Sequence, residues 1–448
     1  MSLMARAREV AEQTPPHRNR YVDYLRALSI GVVVYGHWLM AVFTVQDGRV
    51  VTHHMLAEAP WTQILTWFFQ VMPVFFIVGG YANAASWKAA EKKAVPYADW
   101  LRSRCQRLLG PTVVFALIWI PIAVFSREVV DDRAFLIMAG KLVAVPLWFM
   151  AVYLMVIPLA PAMLRLHRKF GVAVPVLFAL AAAAVDVLDP AVHVKGEPHQ
   201  ASWGWINFAI VWLAIHQIGY LWNDGRLEKP AALKWILVVV GLGGLIALTS
   251  SERYGFSMIG VPGSSQSNNT PPTVVLIFLA LFQMGIILLT NAIANRRLAK
   301  TEPWARTIVA NGMIMTLYLW HITALLCAIA IGYALGYRFP LEPLSGLWWL
   351  SRIGWLALLT LILLGFVTLF SRFERPRPAT AVGGGWKTAT LAFVGALAAA
   401  TGLAGIAAKG LCVPGDFWGV PVVALALLAA GALCVGVTPA IYRKPGGA

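Results

Sequence analysis

The sequence predicts an all-α, polytopic membrane bundle of about twelve transmembrane helices, and three observations carry that prediction. Of the 448 residues, 59% are hydrophobic and only 12% charged, where a soluble domain carries about 25% charged residues. Mean hydropathy is correspondingly high, at +0.70. Apolar runs long enough to cross about 30 Å of hydrocarbon recur along nearly the whole chain, and basic residues collect in alternate connections between them. That asymmetry is expected of a membrane protein with one cytoplasmic side.

The amino-terminal segment MSLMARAREVAEQTPPHRNR is polar and lacks the apolar core of a cleavable signal peptide. The first span is therefore expected to act as its own insertion signal. Spans are expected near 24–44, 63–86, 108–126, 134–161, 171–188, 203–222, 232–250, 273–293, 308–333, 346–370, 388–408 and 418–439. Lys141 and Pro146 interrupt the start of the fourth. The longest polar connection, SERYGFSMIGVPGSSQSNNTPP, reads as a loop from its Gly, Pro, Ser and Asn content. The last two spans are rich in Ala, Leu and Gly, carry no charge, and are expected to pack or to face lipid. The chain thus divides into a tail (1–20), a ten-helix membrane domain (21–376), and two further helices with a short tail (377–448). No stretch is left for a large soluble domain.

Most of the 36 basic residues lie on one set of connections and on both tails. These are Arg6, Arg8, Arg18 and Arg20, then Lys88 to Arg107, Arg165 to Lys169, Arg226 to Lys234 and Arg296 to Arg306, and finally Arg372 to Lys387, Arg443 and Lys444. Opposite connections such as SREVVDD and VHVKGEPHQ are weakly charged or acidic. Both termini are expected in the cytoplasm, with the chain in the cell membrane. The net charge of +16 is then topological, and nucleic acid has no place as a partner. Cys105, Cys327, Cys412 and Cys434 show no ligand spacing and read as small hydrophobes, not as a metal site or disulfide framework.

Polar residues within the spans are costly and mark candidate chemistry. Arg26 and His37 lie eleven residues apart on the first span, nearly on one face and about 16 Å apart along a helix. Arg26, near the cytoplasmic start, reads either as an anchor whose head reaches the interface or as a functional cation. His37, well inside, reads either as an interhelical hydrogen bond or as a proton acceptor suited to neutral pH. Gly36 lets another group approach beside it. His321 follows GMIMTLYLW on the ninth span, where the Tyr318 hydroxyl is placed to orient it. His216 lies deep in the sixth span beside Gln217. None of the three has a histidine or carboxylate at i+4, so no metal site is expected. Asp186 and Lys141 are further intramembrane charges whose partners the sequence does not assign.

Arg104 and Arg107 are three apart and share a helix face at the cytoplasmic mouth of the third span. They read either as an ordinary positive-inside cluster or as a planar, multi-donor site for phosphate or carboxylate. In PVFFIVGGYANAASW, Gly79 and Gly80 permit close helix packing or leave room for a ligand.

Several segments, taken in order, resemble the acyltransferase 3 family of integral-membrane acyltransferases, which includes polysaccharide O-acetylases. They are R-ALSIGVVVYG-H (26–37) after YVDYL, FFIVGGY (75–81), RCQRLLGP (104–111), LWFMAVYLMVIP (147–158), TLYLWH (316–321) and FERP (373–376). The resemblance covers roughly residues 20–376. It implies transfer of an acyl group, often from cytoplasmic acyl-CoA, to an acceptor at or across the membrane. It also implies that Arg26 and His37 are both needed for activity, and that Arg104 and Arg107 form a second basic motif at the entrance. The family's serine in the FF-x-x-S-G-Y stretch is Gly79 here, which leaves that position without a hydroxyl.

Acyl transfer from a thioester to an alcohol needs a base for the hydroxyl proton and donors or positive charge for the oxyanion. His37 is the expected base, with Arg26 at the cytoplasmic end of the cavity and His321 as a helper or alternative base. Arg104 and Arg107 are expected to hold the phosphates of acyl-CoA, foremost acetyl-CoA, which serves as a substrate; no permanently bound cofactor is expected. The expected acceptor is a glycan, glycolipid or metabolite hydroxyl, with membrane lipids expected around the bundle. The alternative from another class is a proton-coupled transporter using the embedded histidines, although the two halves show no repeat of the arginine–histidine pattern.

Overall fold

A computed structural model describes residues 2–15, 18–47, 49–189, 203–229, 231–264, 266–337, 341–374 and 381–437. The connection VHVKGEPHQ and the basic residues Arg375, Arg377, Arg443 and Lys444 lie outside the described residues. The chain is an all-α polytopic bundle with one two-stranded sheet among the described residues.

Helix α1 (Leu3–Glu12) lies in the polar tail, with the Ser2 side chain accepting from the Ala5 N–H. Helix α2 (Arg20–Met40) is capped by Asn19 and ends four residues earlier than the apolar run suggests. The following β-branched residues form β1 (Ala41–Gln46) and β2 (Arg49–His54), which pair with each other; the sequence between them, Asp-Gly, is one favoured in hairpin turns. Asp47 has the left-handed conformation that such a turn requires (φ 49). Then come α3 (Met55–Glu58), a 3₁₀ turn (Pro60–Leu65), α4 (Thr66–Phe69) and α5 (Met72–Lys92), so the second expected span starts as a broken helix.

Helix α6 (Tyr97–Val129) runs through Pro111 and Pro121. The fourth expected span is two helices, α7 (Arg133–Ala144) and α8 (Leu147–Phe170), separated at Pro146, which removes a helical N–H and clashes with the preceding turn. Next are α9 (Ala173–Leu188), α10 (Asn207–Asn223), α11 (Ala231–Thr249) and α12 (Val275–Leu298). Helix α13 (Thr301–Asn311) was not expected; it stops before Gly312, and the ninth span begins afresh as α14 (Ile314–Ala334). The chain closes with α15 (Gly346–Phe370), α16 (Trp386–Lys409) and α17 (Val422–Cys434). Among the described residues, nine helical stretches are long and apolar enough to cross a membrane. The other three expected spans are α2, whose Arg20, Asp23 and Arg26 lower its hydropathy, and the shorter apolar helices α9 and α17.

Contacts divide the chain into two compact units. The first holds residues 1–43, 52–86 and 160–311. Its helices approach closely at glycines: a methyl on Gly80 would overlap the His216 carbonyl oxygen, and one on Gly219 would overlap that of Ile77. The α5–α10 crossing therefore has backbone on backbone, as small residues allow in membranes. The described part of the 251–272 loop is held by internal hydrogen bonds and by one to Thr66. Asn268 Nδ2 donates to the carbonyls of Gly255 (2.6 Å) and Ser257 (2.9 Å), and the Met258 N–H donates to Thr66 Oγ1 (2.9 Å). Asp186 is buried and finds its partners here, accepting from Asn207 Nδ2 (2.8 Å), the Tyr254 hydroxyl (3.3 Å) and the Val274 N–H (2.8 Å). A buried carboxylate tolerates this position because three donors replace its water.

The second unit holds residues 44–51, 87–159 and 312–448. Helices α14 and α15 pair through Trp320, which stacks on Phe370 at 4.1 Å and Phe366 at 5.0 Å. Helices α16 and α17 form a tight hairpin, since a methyl on Gly431 would overlap the backbone of Ala399. This hairpin packs on α6 and α7: Gln106 Nε2 donates to the Val435 carbonyl (2.9 Å), and the Leu411 N–H donates to the Gly140 carbonyl (3.1 Å). Lys141 lies beside Gly410 of the hairpin loop with its side chain exposed.

Candidate active site

Arg26 is held, not loose. Its Nε donates to Asn311 Oδ1 (2.8 Å) and one Nη donates to Asp23 Oδ1 (3.2 Å). Asp23 also accepts from Arg18 Nε (2.8 Å), and Asn311 Nδ2 reaches back to the Asp23 carbonyl (2.9 Å). A long arginine near a membrane face has many rotamers, and two fixed contacts remove most of them.

His37 is half-buried in the last turn of α2, where its carbonyl accepts from the Ala41 N–H. The helix therefore carries Arg26 in its second turn and His37 at its far end, about 16 Å apart. A methyl at Gly36 would meet no heavy atom within 4 Å, so this glycine is not required by packing among the described residues.

His54, which the sequence reading did not single out, lies within electrostatic range of His37. Only the pairing of β2 with β1 could reveal it. The Leu56 N–H donates to His54 Nδ1 (3.3 Å), which requires an unprotonated Nδ1, and burial holds this imidazole below the ordinary histidine range. A folded-state pKa below the unfolded value of 6.5 stabilises the fold fully above that pH, and the stabilisation is lost on acidification. Thermal melting followed from pH 7.5 to 5 should accordingly show a steeper acid loss in wild type than in His54→Gln.

His321 is fully buried on α14, and its Nδ1 lies 2.6 Å from the Tyr318 carbonyl. A carbonyl only accepts, so Nδ1 carries a proton. The sequence-based expectation that the Tyr318 hydroxyl orients this ring is corrected here: that hydroxyl donates to the Pro146 carbonyl (2.8 Å), and the backbone of Tyr318 does the orienting. Helix α14 is pinned at its start by Glu374, whose carboxylate accepts from the N–H groups of Met315 (2.8 Å) and Thr316 (3.0 Å) and from Thr316 Oγ1 (3.0 Å). A negative charge on first-turn donors is favourable twice over, as hydrogen-bond acceptor and as partner of the helix dipole. Glu374→Ala should lower stability by about 1–3 kcal/mol, read as a lower Tm in detergent with Glu374→Asp intermediate.

Arg104 and Arg107 project from α6, the first half-buried and the second exposed, with buried Cys105 between them. His216 is fully buried in the first unit, paired with Asn83 Nδ2 through Nε2 (3.1 Å) and edge-on to Tyr220 (5.0 Å). Its surroundings are the α5–α10 crossing, so it belongs to the packed interior. Arg26, His37 and His54 thus belong to the first unit, and His321, Arg104 and Arg107 to the second. Among the described residues no group of three or more His, Cys, Asp or Glu side chains is arranged to hold a metal ion.

A family model described as an acyltransferase domain matches residues 19–372 of this chain. No curated protein and no solved structure matches it.

Proposed function

The chain belongs to the acyltransferase 3 family, and from that premise we propose that it is an O-acyltransferase. It moves an acyl group, foremost acetyl, from cytoplasmic acyl-CoA to a hydroxyl of a glycan, glycolipid or related acceptor at the cell membrane. The observation that carries this reading is the arrangement on α2, inside the matched region. A rigidly held guanidinium stands near one end and an imidazole in the last turn of the other.

In this reading Arg26 meets the anionic part of the donor, and Arg104 and Arg107 bind its phosphates as multi-donor cations. The extended pantetheine arm of the donor accounts for a separation of about 16 Å between phosphate handling and chemistry on one helix. His37 takes the acceptor's hydroxyl proton as its oxygen attacks the thioester carbonyl. The tetrahedral oxyanion collapses, the carbon–sulfur bond breaks, and the leaving CoA thiolate takes the proton back from His37. His321, whose ring is oriented by the Nδ1 contact with the Tyr318 carbonyl, is the alternative base. The bias of basic residues to one set of connections supports a topology with both termini in the cytoplasm.

The test is purified protein in liposomes with radiolabelled acetyl-CoA or succinyl-CoA and a glycolipid fraction, joined to mass spectrometry of glycolipids and metabolites from wild-type and deletion cells. Labelled acceptor, and a product lighter by one acyl group in the deletion, are the expected results. Acceptor movement across the bilayer without any acyl transfer would favour a proton-coupled carrier instead.

A further inference from the structure

We infer that Asn311 is a positioning residue for Arg26, fixing the guanidinium plane that receives the donor; the inference rests on the donor reading of Arg26 proposed above. The amide's orientation follows from its neighbours. Asn311 Nδ2 donates to the carbonyls of Thr307 (2.9 Å) and Asp23 (2.9 Å), which can only accept. Oδ1 is thereby turned to Arg26 Nε, which can only donate, at 2.8 Å. With the Nη–Asp23 contact at 3.2 Å, the guanidinium is held at two points that differ in element: one on its own helix, one on α13.

The platform beneath Asn311 is itself secured. Trp304 and Ala305 of α13 are buried against Ala7 and Ala11 of α1. Arg8 pairs with Glu302 through two contacts (2.8 and 2.9 Å), and Trp304 Nε1 donates to Thr14 Oγ1 (2.8 Å). Arg20 donates to the Leu298 carbonyl (2.8 Å), where α12 hands over to α13. The helix then ends at Asn311, so its side chain is delivered at a fixed height beside the second turn of α2.

Two roles of Asn311 are separable by substitution. The Nδ2 bonds tie α13 to α2, and the Oδ1 bond orients Arg26. Asn311→Asp keeps an acceptor for Arg26 and loses the donors; Asn311→Ala loses both. Equilibrium binding of radiolabelled acetyl-CoA, together with KM and kcat, would be measured on the full chain in nanodiscs for these two variants, Arg26→Gln, and Arg26→Gln combined with Asn311→Ala. Asn311→Ser replaces Asn311→Ala should the latter not fold. Losing one charge-assisted hydrogen bond should weaken donor binding by about 5–10-fold in Asn311→Ala, with the change on KM, not kcat. Asn311→Asp should bind within about twofold of wild type although its Tm falls as far as that of Asn311→Ala. Asn311→Ala should add nothing once Arg26 is glutamine. Equal weakening in Asn311→Asp and Asn311→Ala, or additive losses in the double variant, overturns the inference. If Arg26→Gln weakens acetyl-CoA binding and Asn311→Ala does not, the inference falls alone. Unchanged binding in Arg26→Gln removes the donor reading of Arg26 and the inference with it.

Discussion

His37→Gln should lower kcat for acyl transfer by about 10²–10⁴-fold, the usual worth of a positioned general base, with Tm and donor affinity close to wild type. Glutamine keeps a polar side chain of similar reach but cannot take a proton, so the loss isolates the chemistry. The site favours this outcome structurally: His37 is half-buried in a last helical turn, and the Arg26 contacts with Asn311 and Asp23 stand about three turns away. Labelled acetyl transfer in liposomes, measured at saturating donor, reads the effect. If His37→Gln turns over normally and His321→Gln does not, the base is His321, whose ring the Tyr318 carbonyl orients.

The second large effect is on stability. Gly80→Ala should destabilise by about 3 kcal/mol or more, at the upper end of overpacking, because the added methyl overlaps the His216 carbonyl oxygen, a backbone atom that no rotamer change can move. Gly219→Ala should behave alike, since its methyl overlaps the Ile77 carbonyl on the other side of the same crossing. Gly36→Ala is the contrast. Its methyl meets nothing within 4 Å, and alanine gains helix propensity of about 1 kcal/mol, so Tm should hold or rise. Melting curves in one detergent compare all three; a wild-type Tm for Gly80→Ala would contradict the close crossing. A fall in activity for Gly36→Ala without a fall in Tm would mark the space beside His37 as the substrate's approach.

Three local patterns were open to misreading in sequence, each for a physical reason. The run after Met40 is apolar enough to extend a span, yet its β-branched residues form two paired strands, the second of which ends at His54. Helix α1 reads in sequence only as part of a polar tail because the contact that packs it is with Trp304, nearly 300 residues away. Tyr318 and His321 are three residues apart, a spacing that allows a hydroxyl contact, but the hydroxyl is taken by Pro146 on another segment.

The sequence by itself determined the all-α membrane class, the positions of most spans, the basic asymmetry and the family, because hydropathy and motif spacing are local or one-dimensional properties. It also marked Arg26, His37, His321, Arg104 and Arg107. Tertiary structure alone decided which groups hold the polar residues of the spans: Asn311 and Asp23 on Arg26, Glu374 at the start of α14, Asn83 on His216, and Asn207, Tyr254 and Val274 on Asp186. Each of these is a hydrogen bond, most of them between residues far apart in the chain. Such bonds depend on distance and angle to within tenths of an ångström, a precision that no residue spacing encodes.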